Sequence, residues 1–242
     1  MKSSITIYQP WGGLGDNLAH SIIPELCYKN NIECTLSKYN VVRNQQIYDL
    51  IWGLNPYLKQ ELSDSTDMSW LDKCSQYEVP GQLNHIQVLQ KVYGFNTNIE
   101  YPKIYYKPNY LNELKDKTIL DLSIYSIASD YDPKTIANIL KNFNLDESNT
   151  LAITHSEVTY GTYFDTIDKY KKIDVNTLTG YSDILASCKR FVTLYSGPSN
   201  LASTIKHHNN TDTEIHVLMP KRYLPQNGCS YTYSNTNYIP IN

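Results

Sequence analysis

Arginine is scarce in this sequence: Arg43, Arg190 and Arg222 are the only three among 21 basic side chains in 242 residues. With a net charge of −3 and a pI near 6.1, the chain lacks the basic surface that neutralises a phosphate backbone, so nucleic acid is disfavoured as a partner. Long apolar runs are missing as well. No stretch approaches the roughly 18 apolar residues of a membrane span, and the alternating opening meets Pro10 and glycines before a signal-like apolar core develops. The five cysteines, Cys27, Cys34, Cys74, Cys188 and Cys229, form no CxxC pair and no other metal-ligand spacing. They read as reduced and structural, and together these absences predict a cytoplasmic protein.

What is present is an alternation of short apolar runs and helical periodicity. Residues 5–8 read as a strand, residues 10–15 as a break, and residues 18–29 as a helix with apolar side chains at helical spacing. Residues 33–42 suggest a strand, 45–52 a short helix and 83–93 a helix closed by Gly94. A second series starts near Thr118. Strands are expected at 119–123, 150–154, 190–194 and 214–219, and helices at 133–143, 181–188 and 198–207. Residues 96–109, with Pro102 and Pro108, read as the linker between the two series, and the residues after Gln226 read as a polar tail. Strands alternating with helices imply right-handed crossovers and a parallel sheet, hence an α/β fold in two Rossmann-like halves.

Three segments carry candidate chemistry. The run Trp11-Gly12-Gly13-Leu14-Gly15-Asp16-Asn17-Leu18-Ala19-His20 lies between a strand and a helix. Gly13 and Gly15 fit half of the dinucleotide fingerprint, but the third glycine position is Leu18, so the turn reads equally as a tight connection capped by Asp16 or Asn17. Asp16 and His20 lie four apart, a spacing that puts both on one helix face, where a carboxylate and an imidazole can deprotonate a hydroxyl. The run Tyr195-Ser196-Gly197-Pro198-Ser199-Asn200-Leu201-Ala202 follows an apolar strand and opens a helix, whose first N–H groups favour an anion; an ordinary cap by Ser196 fits the same residues. His155-Ser156-Glu157 follows a strand, so His155 and Glu157 are candidate ligands at the same rim, with Glu157 suited to ribose hydroxyls or to a solvated loop. The tyrosine-rich residues 160–170 are a candidate binding loop, and Asp130-Tyr131-Asp132 before Pro133 reads as a helix cap rather than a metal pair.

The two small-residue turns together resemble glycosyltransferase family 9, the heptosyltransferase-like enzymes of the GT-B fold. Gly13-Leu14-Gly15-Asp16 with Pro24 resembles the family's first turn and helix, and Ser196-Gly197-Pro198-Ser199-Asn200-Leu201-Ala202 resembles its late turn. The chain departs from the family pattern at Tyr195, where an acidic residue is usual, and in having no lysine between Ser123 and Lys134. The resemblance implies two Rossmann-like domains facing a cleft, in a compact version: residues 1–103 on the acceptor side and residues 104–242 binding the nucleotide-sugar. It implies an inverting, metal-independent sugar transfer with a nucleotide-sugar as co-substrate, no other cofactor, and a glycan, lipid or small-molecule acceptor. Asp16, with His20 beside it, is then the catalytic base. Gly13, Gly15, His155, Glu157, Ser196, Gly197, Pro198, Ser199 and Asn200 would bind the donor. Two other readings stand beside this one: sugar transfer onto modified nucleic-acid bases, as in phage DNA glucosylation, and a non-catalytic nucleotide or nucleotide-sugar binding module.

Overall fold

The computed structural model describes residues 4–124, 127–155, 167–227 and 230–241. The chain forms two compact units, Met1–Tyr106 with Pro225–Tyr233 and Lys107–Leu224 with Ser234–Asn242. Where the expected division was one cut after residue 103, the chain returns to the first unit near its end.

The first unit is built on a parallel three-stranded sheet of β1 (Ser4–Ile7), β2 (Glu33–Ser37) and β3 (Leu62–Ser63), in that order among the described residues. The helix expected over 18–29 is two helices, α1 (Leu14–His20) and α2 (Ile23–Lys29). Pro24 has no N–H to offer the His20 carbonyl, and the Ser21 hydroxyl donates to the Leu18 carbonyl at 2.7 Å, so the chain bends between them. α3 (Gln45–Tyr48), capped by Asn44, continues into a π turn over Asp49–Gly53. Beyond α4 (Ser69–Cys74) comes α5 (His85–Val92), which starts with a reciprocal cap. The Gln87 N–H donates to Asn84 at 3.0 Å and the Asn84 N–H to the Gln87 side chain at 2.7 Å. Gly94 follows α5 at φ +82°, a conformation that a side chain would strain. Ile7, Leu18, Ile23, Leu36, Ile51, Ile86 and Leu89 are buried in this unit.

In the second unit β4 (Thr118–Asp121), α6 (Pro133–Lys141), β5 (Thr150–His155), β6 (Lys171–Val175), α7 (Leu178–Ser187), β7 (Arg190–Leu194), α8 (Gly197–Asn209), β8 (Glu214–Pro220) and β9 (Asn237–Ile241) follow in sequence. All strand pairs are parallel, and the order is β6-β5-β4-β7-β8-β9. Counted within the unit this is 3-2-1-4-5-6, the doubly wound order of dinucleotide-binding sheets, with its switch point between β4 and β7. Asp132 caps α6, accepting from the Thr135 N–H at 2.9 Å with Pro133 at the first turn, as expected from the sequence. Leu120, Ile136, Ala152, Val192, Leu194 and Leu218 lie in one continuous core.

The expected polar tail is a correction. The Gly81 N–H donates to the Pro225 carbonyl at 2.8 Å, the His85 N–H donates to the Ser230 carbonyl at 3.0 Å, and Tyr233 stacks on Tyr101. The chain then adds β9 to the second sheet. The expected linker is ordered too. Gln90 donates to the Ile99 carbonyl at 2.6 Å, and Tyr101 and Ile104 are buried.

Candidate functional site

In the first unit the chain leaves β1 and enters a tied loop. Gln9, fully buried, donates to the Val41 carbonyl at 2.9 Å and accepts from the Trp11 N–H at 2.8 Å. The Val41 N–H donates back to the Gln9 carbonyl and the Arg43 N–H to the Gly12 carbonyl, at 3.1 and 2.9 Å. A β-carbon on Gly12 would lie 3.0 Å from the Arg43 nitrogen, so this close pairing of two loops needs glycine. Beneath it, Asn17 donates to the Gly13 carbonyl at 3.0 Å and accepts from the Trp52 indole at 2.8 Å, which fixes the turn to the core.

Asp16 sits in the first turn of α1, whose N-cap is Gly13, and Gly15 lies inside that turn. Burial raises the Asp16 pKa above its ordinary value, while the Gly13 N–H and the Arg43 guanidinium pull it back in part. The Asp16 carboxylate is the acidic group of the first turn of this helix. A β-carbon on Gly13 would lie 2.6 Å from the Asp16 carboxylate, so the absence of a side chain at Gly13 admits the close approach of Asp16 to the turn.

His20, expected beside Asp16 as a catalytic residue, lies inward. It is 2% exposed, and its ring packs edge-on against Trp70 and Tyr93 with centroids 4.8 and 6.1 Å away. Nδ1 lies 3.3 Å from the Asp16 carbonyl, and Nε2 has no hydrogen-bond partner among the described residues. Burial lowers its pKa to about 4, so the ring is neutral. It shares the helix with Asp16 but is packed in the core of this unit.

In the second unit the turn after β7 opens α8. The Ser199 hydroxyl donates to the Ser196 carbonyl at 2.7 Å and accepts from the Ser196 N–H at 3.3 Å. Ser196, Gly197 and Pro198 are half-buried, whereas Ser199 and Asn200 are 1% and 3% exposed. Of the five residues expected to bind the donor here, these last two face inward; the Asn200 side-chain oxygen has no partner among the described residues. Tyr195, at the position where an acid was expected, is also buried. Its N–H donates to the Tyr131 hydroxyl at 2.9 Å and its ring packs against Tyr223.

The carboxyl ends of β4 and β5 hold a group that the sequence did not flag. Asp121 is fully buried; its Oδ1 accepts from the Ser123 N–H at 2.8 Å, and its Oδ2 accepts from the Tyr181 hydroxyl and lies 3.3 Å from His155 Nε2. Burial alone would raise the Asp121 pKa, but His155, Ser123 and Tyr181 outweigh it and hold the carboxylate below its ordinary value. His155 thus stands at the rim as expected, oriented by a buried anion. Ser156, Glu157 and residues 160–166 lie outside the described residues. Arg43 beside Asp16 was also missed; its only sequence signal was rarity. The signal for Asp121 was an acidic residue closing an apolar strand. Among the described residues no group of three or more His, Cys, Asp or Glu is arranged to hold a metal, and no helix is long and apolar enough to cross a membrane.

No protein-family model and no curated protein matches the sequence. Solved structures do match. The dodecameric iron-containing glycosyltransferase TibC of enterotoxigenic Escherichia coli H10407 aligns over 98% of this chain with a TM-score of 0.59 and 14% identity. A glycosyl transferase family 9 protein of Veillonella parvula aligns over 99% with a TM-score of 0.59 and 10% identity. The E. coli heptosyltransferase WaaC, solved with ADP, aligns over 100% with a TM-score of 0.52 and 7% identity. The chain shares its fold with glycosyltransferases. It spans 63% of the length of TibC, 85% of the V. parvula protein and 94% of WaaC. At these identities the likeness speaks for the mixed α/β fold with parallel sheets.

Proposed function

We propose that this chain transfers a sugar from a nucleotide-sugar donor to an acceptor hydroxyl, with Asp16 as general base. The observation that carries the reading is the state of that carboxylate: mostly buried just past β1, its pKa raised, in a chain whose fold is shared with glycosyltransferases. An acceptor hydroxyl must lose its proton as its oxygen attacks the anomeric carbon, and a carboxylate of raised pKa accepts that proton better than a solvated one. As the new C–O bond forms, the bond from the anomeric carbon to the donor diphosphate breaks and the nucleoside diphosphate leaves with its electron pair. Attack from the face opposite the leaving group inverts the centre.

The half-buried Ser196, Gly197 and Pro198 open a 13-residue helix at the switch point of the second sheet. A helix start favours an anion, and the departing diphosphate is the anion of this reaction. This route draws on helix-terminal N–H groups and is metal-independent. His155, held by Asp121, is the further donor ligand in the proposal.

The test is a thermal-shift screen with ADP, UDP, GDP, CMP and dTDP, each with its common sugars, because a ligand bound only by the native state raises the melting temperature. ADP is expected to give the largest shift, since WaaC was solved with ADP. A shift followed by sugar transfer supports the reading, and a shift without transfer to any acceptor would make the chain a binding module. No shift with any nucleotide defeats the proposal.

A further inference from the structure

The chain has three tryptophans, and two of them are spent inside the first unit. Trp52 is 2% exposed and its indole N–H donates to Asn17; Trp70 is 4% exposed and its N–H donates to the Tyr8 carbonyl at 2.8 Å. Trp11 is different. It is 45% exposed, and its indole N–H makes no hydrogen bond among the described residues. About half of this ring is therefore open to a ligand, with a polar N–H at its edge.

The placement is also rigid. The Trp11 N–H is held by buried Gln9, whose side chain is itself tied to the Val41 carbonyl. The ring meets Trp70 edge-on with centroids 5.9 Å apart, and Trp70 packs in turn against His20 at 4.8 Å. Trp11 lies two residues before Gly13, within about 7 Å along the chain. A β-carbon on Gly13 would be 2.6 Å from the Asp16 carboxylate and 3.9 Å from the Arg43 guanidinium. The backbone of Trp11 therefore lies close to a turn that carries an acceptor carboxylate, Asp16, and a cationic donor, Arg43.

We infer that Trp11 is the platform on which the acceptor stacks, and that the acceptor's reacting unit is a pyranose sugar. A pyranose carries a patch of C–H groups on one face and hydroxyls around its rim. The C–H patch suits an aromatic face, and the hydroxyls suit Asp16, Arg43 and the indole N–H. An acyl chain needs a contiguous apolar surface, and here exposed Val41 against the turn is followed by exposed Arg43, Asn44 and Gln45, so the surface is mixed. The inference rests on the sugar-transfer reading only in taking Asp16 to be the group that meets the acceptor.

The test uses the intact protein and the methyl α- and β-pyranosides of glucose, galactose, mannose and N-acetylglucosamine. Because Trp11 is the one exposed indole, acrylamide quenching of intrinsic fluorescence reports on it. One pyranoside is expected to protect it saturably and to shift one of the three indole N–H signals in the NMR spectrum. By isothermal titration calorimetry, Trp11→Ala is expected to weaken that sugar's binding about tenfold and Trp11→Phe less, both variants remaining folded. Failure of every pyranoside to protect the indole, or equal binding by Trp11→Ala, overturns the inference. So does protection by a detergent micelle in place of a sugar. Nucleotide thermal shifts in the same samples separate the two proposals. A nucleotide shift without sugar protection defeats the platform alone, and sugar protection without any nucleotide shift leaves the platform standing and defeats the transfer reading.

Discussion

The carboxylate of Asp16 stands 2.6 Å from the point where a β-carbon on Gly13 would lie. Gly13 has ordinary extended backbone angles, φ −69° and ψ 156°, so a side chain there is excluded by the carboxylate and not by the backbone. Gly13→Ala should fold with a stability change of less than about 1 kcal/mol, because the tip of Asp16 can rotate away. Turnover should fall by about tenfold to a hundredfold, because the base is then misplaced by an ångström or so. Denaturant melts beside steady-state rates check both halves; wild-type rates in Gly13→Ala would remove Asp16 from the mechanism.

Asp16→Asn keeps the shape and removes the base. Turnover is expected to drop by roughly 10²- to 10⁴-fold while donor affinity stays within a few-fold. The acid limb of kcat/KM should report a pKa above the ordinary carboxylate value, since burial raises it. Arg43→Ala removes a cation that lowers this pKa, so the limb should move to higher pH. A limb that moves down or stays fixed would exclude Arg43 as a partner of the base.

His20 makes stability pH-dependent. Its pKa is about 4 in the folded protein against 6.5 for a free imidazole. Below pH 6.5 the unfolded chain therefore binds a proton that the native state refuses until about pH 4. The unfolded state holds more protons in that window, so stability rises with pH and is lost on acidification from 6.5 to 4. About 2.5 pK units correspond to roughly 3 kcal/mol. Urea unfolding across this range should show the slope; burial lowers the His85 pKa to about 4 as well, so His20→Leu should remove part of the slope and leave the His85 part.

Tyr181 is fully buried and donates its hydroxyl to buried Asp121. Tyr181→Phe keeps the ring and deletes one of the donors, with an expected loss of about 1–3 kcal/mol. Asp121 is held below its ordinary pKa, so its contribution to stability is present above the unfolded value of 3.8 and is lost as pH falls through the folded value. In Tyr181→Phe that acid loss should begin at a higher pH. An unchanged acid profile, followed by denaturation, would mean that the hydroxyl does not support the carboxylate.

The strands that were legible in the sequence are the interior ones and β1, where apolar side chains cluster. The three that were missed are all sheet edges: β3 in the first unit, β6 and β9 in the second. β6 reads Lys-Lys-Ile-Asp-Val and β9 carries Pro240. An edge strand is half solvated and has one free hydrogen-bonding side, so charge and proline are tolerated there and the apolar signal fades.

Local order was therefore the sequence's own doing. Strand, small-residue turn and helix follow one another at Gly12–Asp16 and again at Ser196–Asn200, because glycine, serine and proline restrict the backbone over a few residues. What faces where was decided only by the tertiary structure. His20 lies one helical turn from Asp16 yet is buried, and Asn200 turns inward beside a half-exposed Ser196. Tyr181 reaches Asp121 across 60 residues of chain. Helical spacing says which side chains share a face; packing determines which face is covered and which distant residues meet, and no local pattern carries that information.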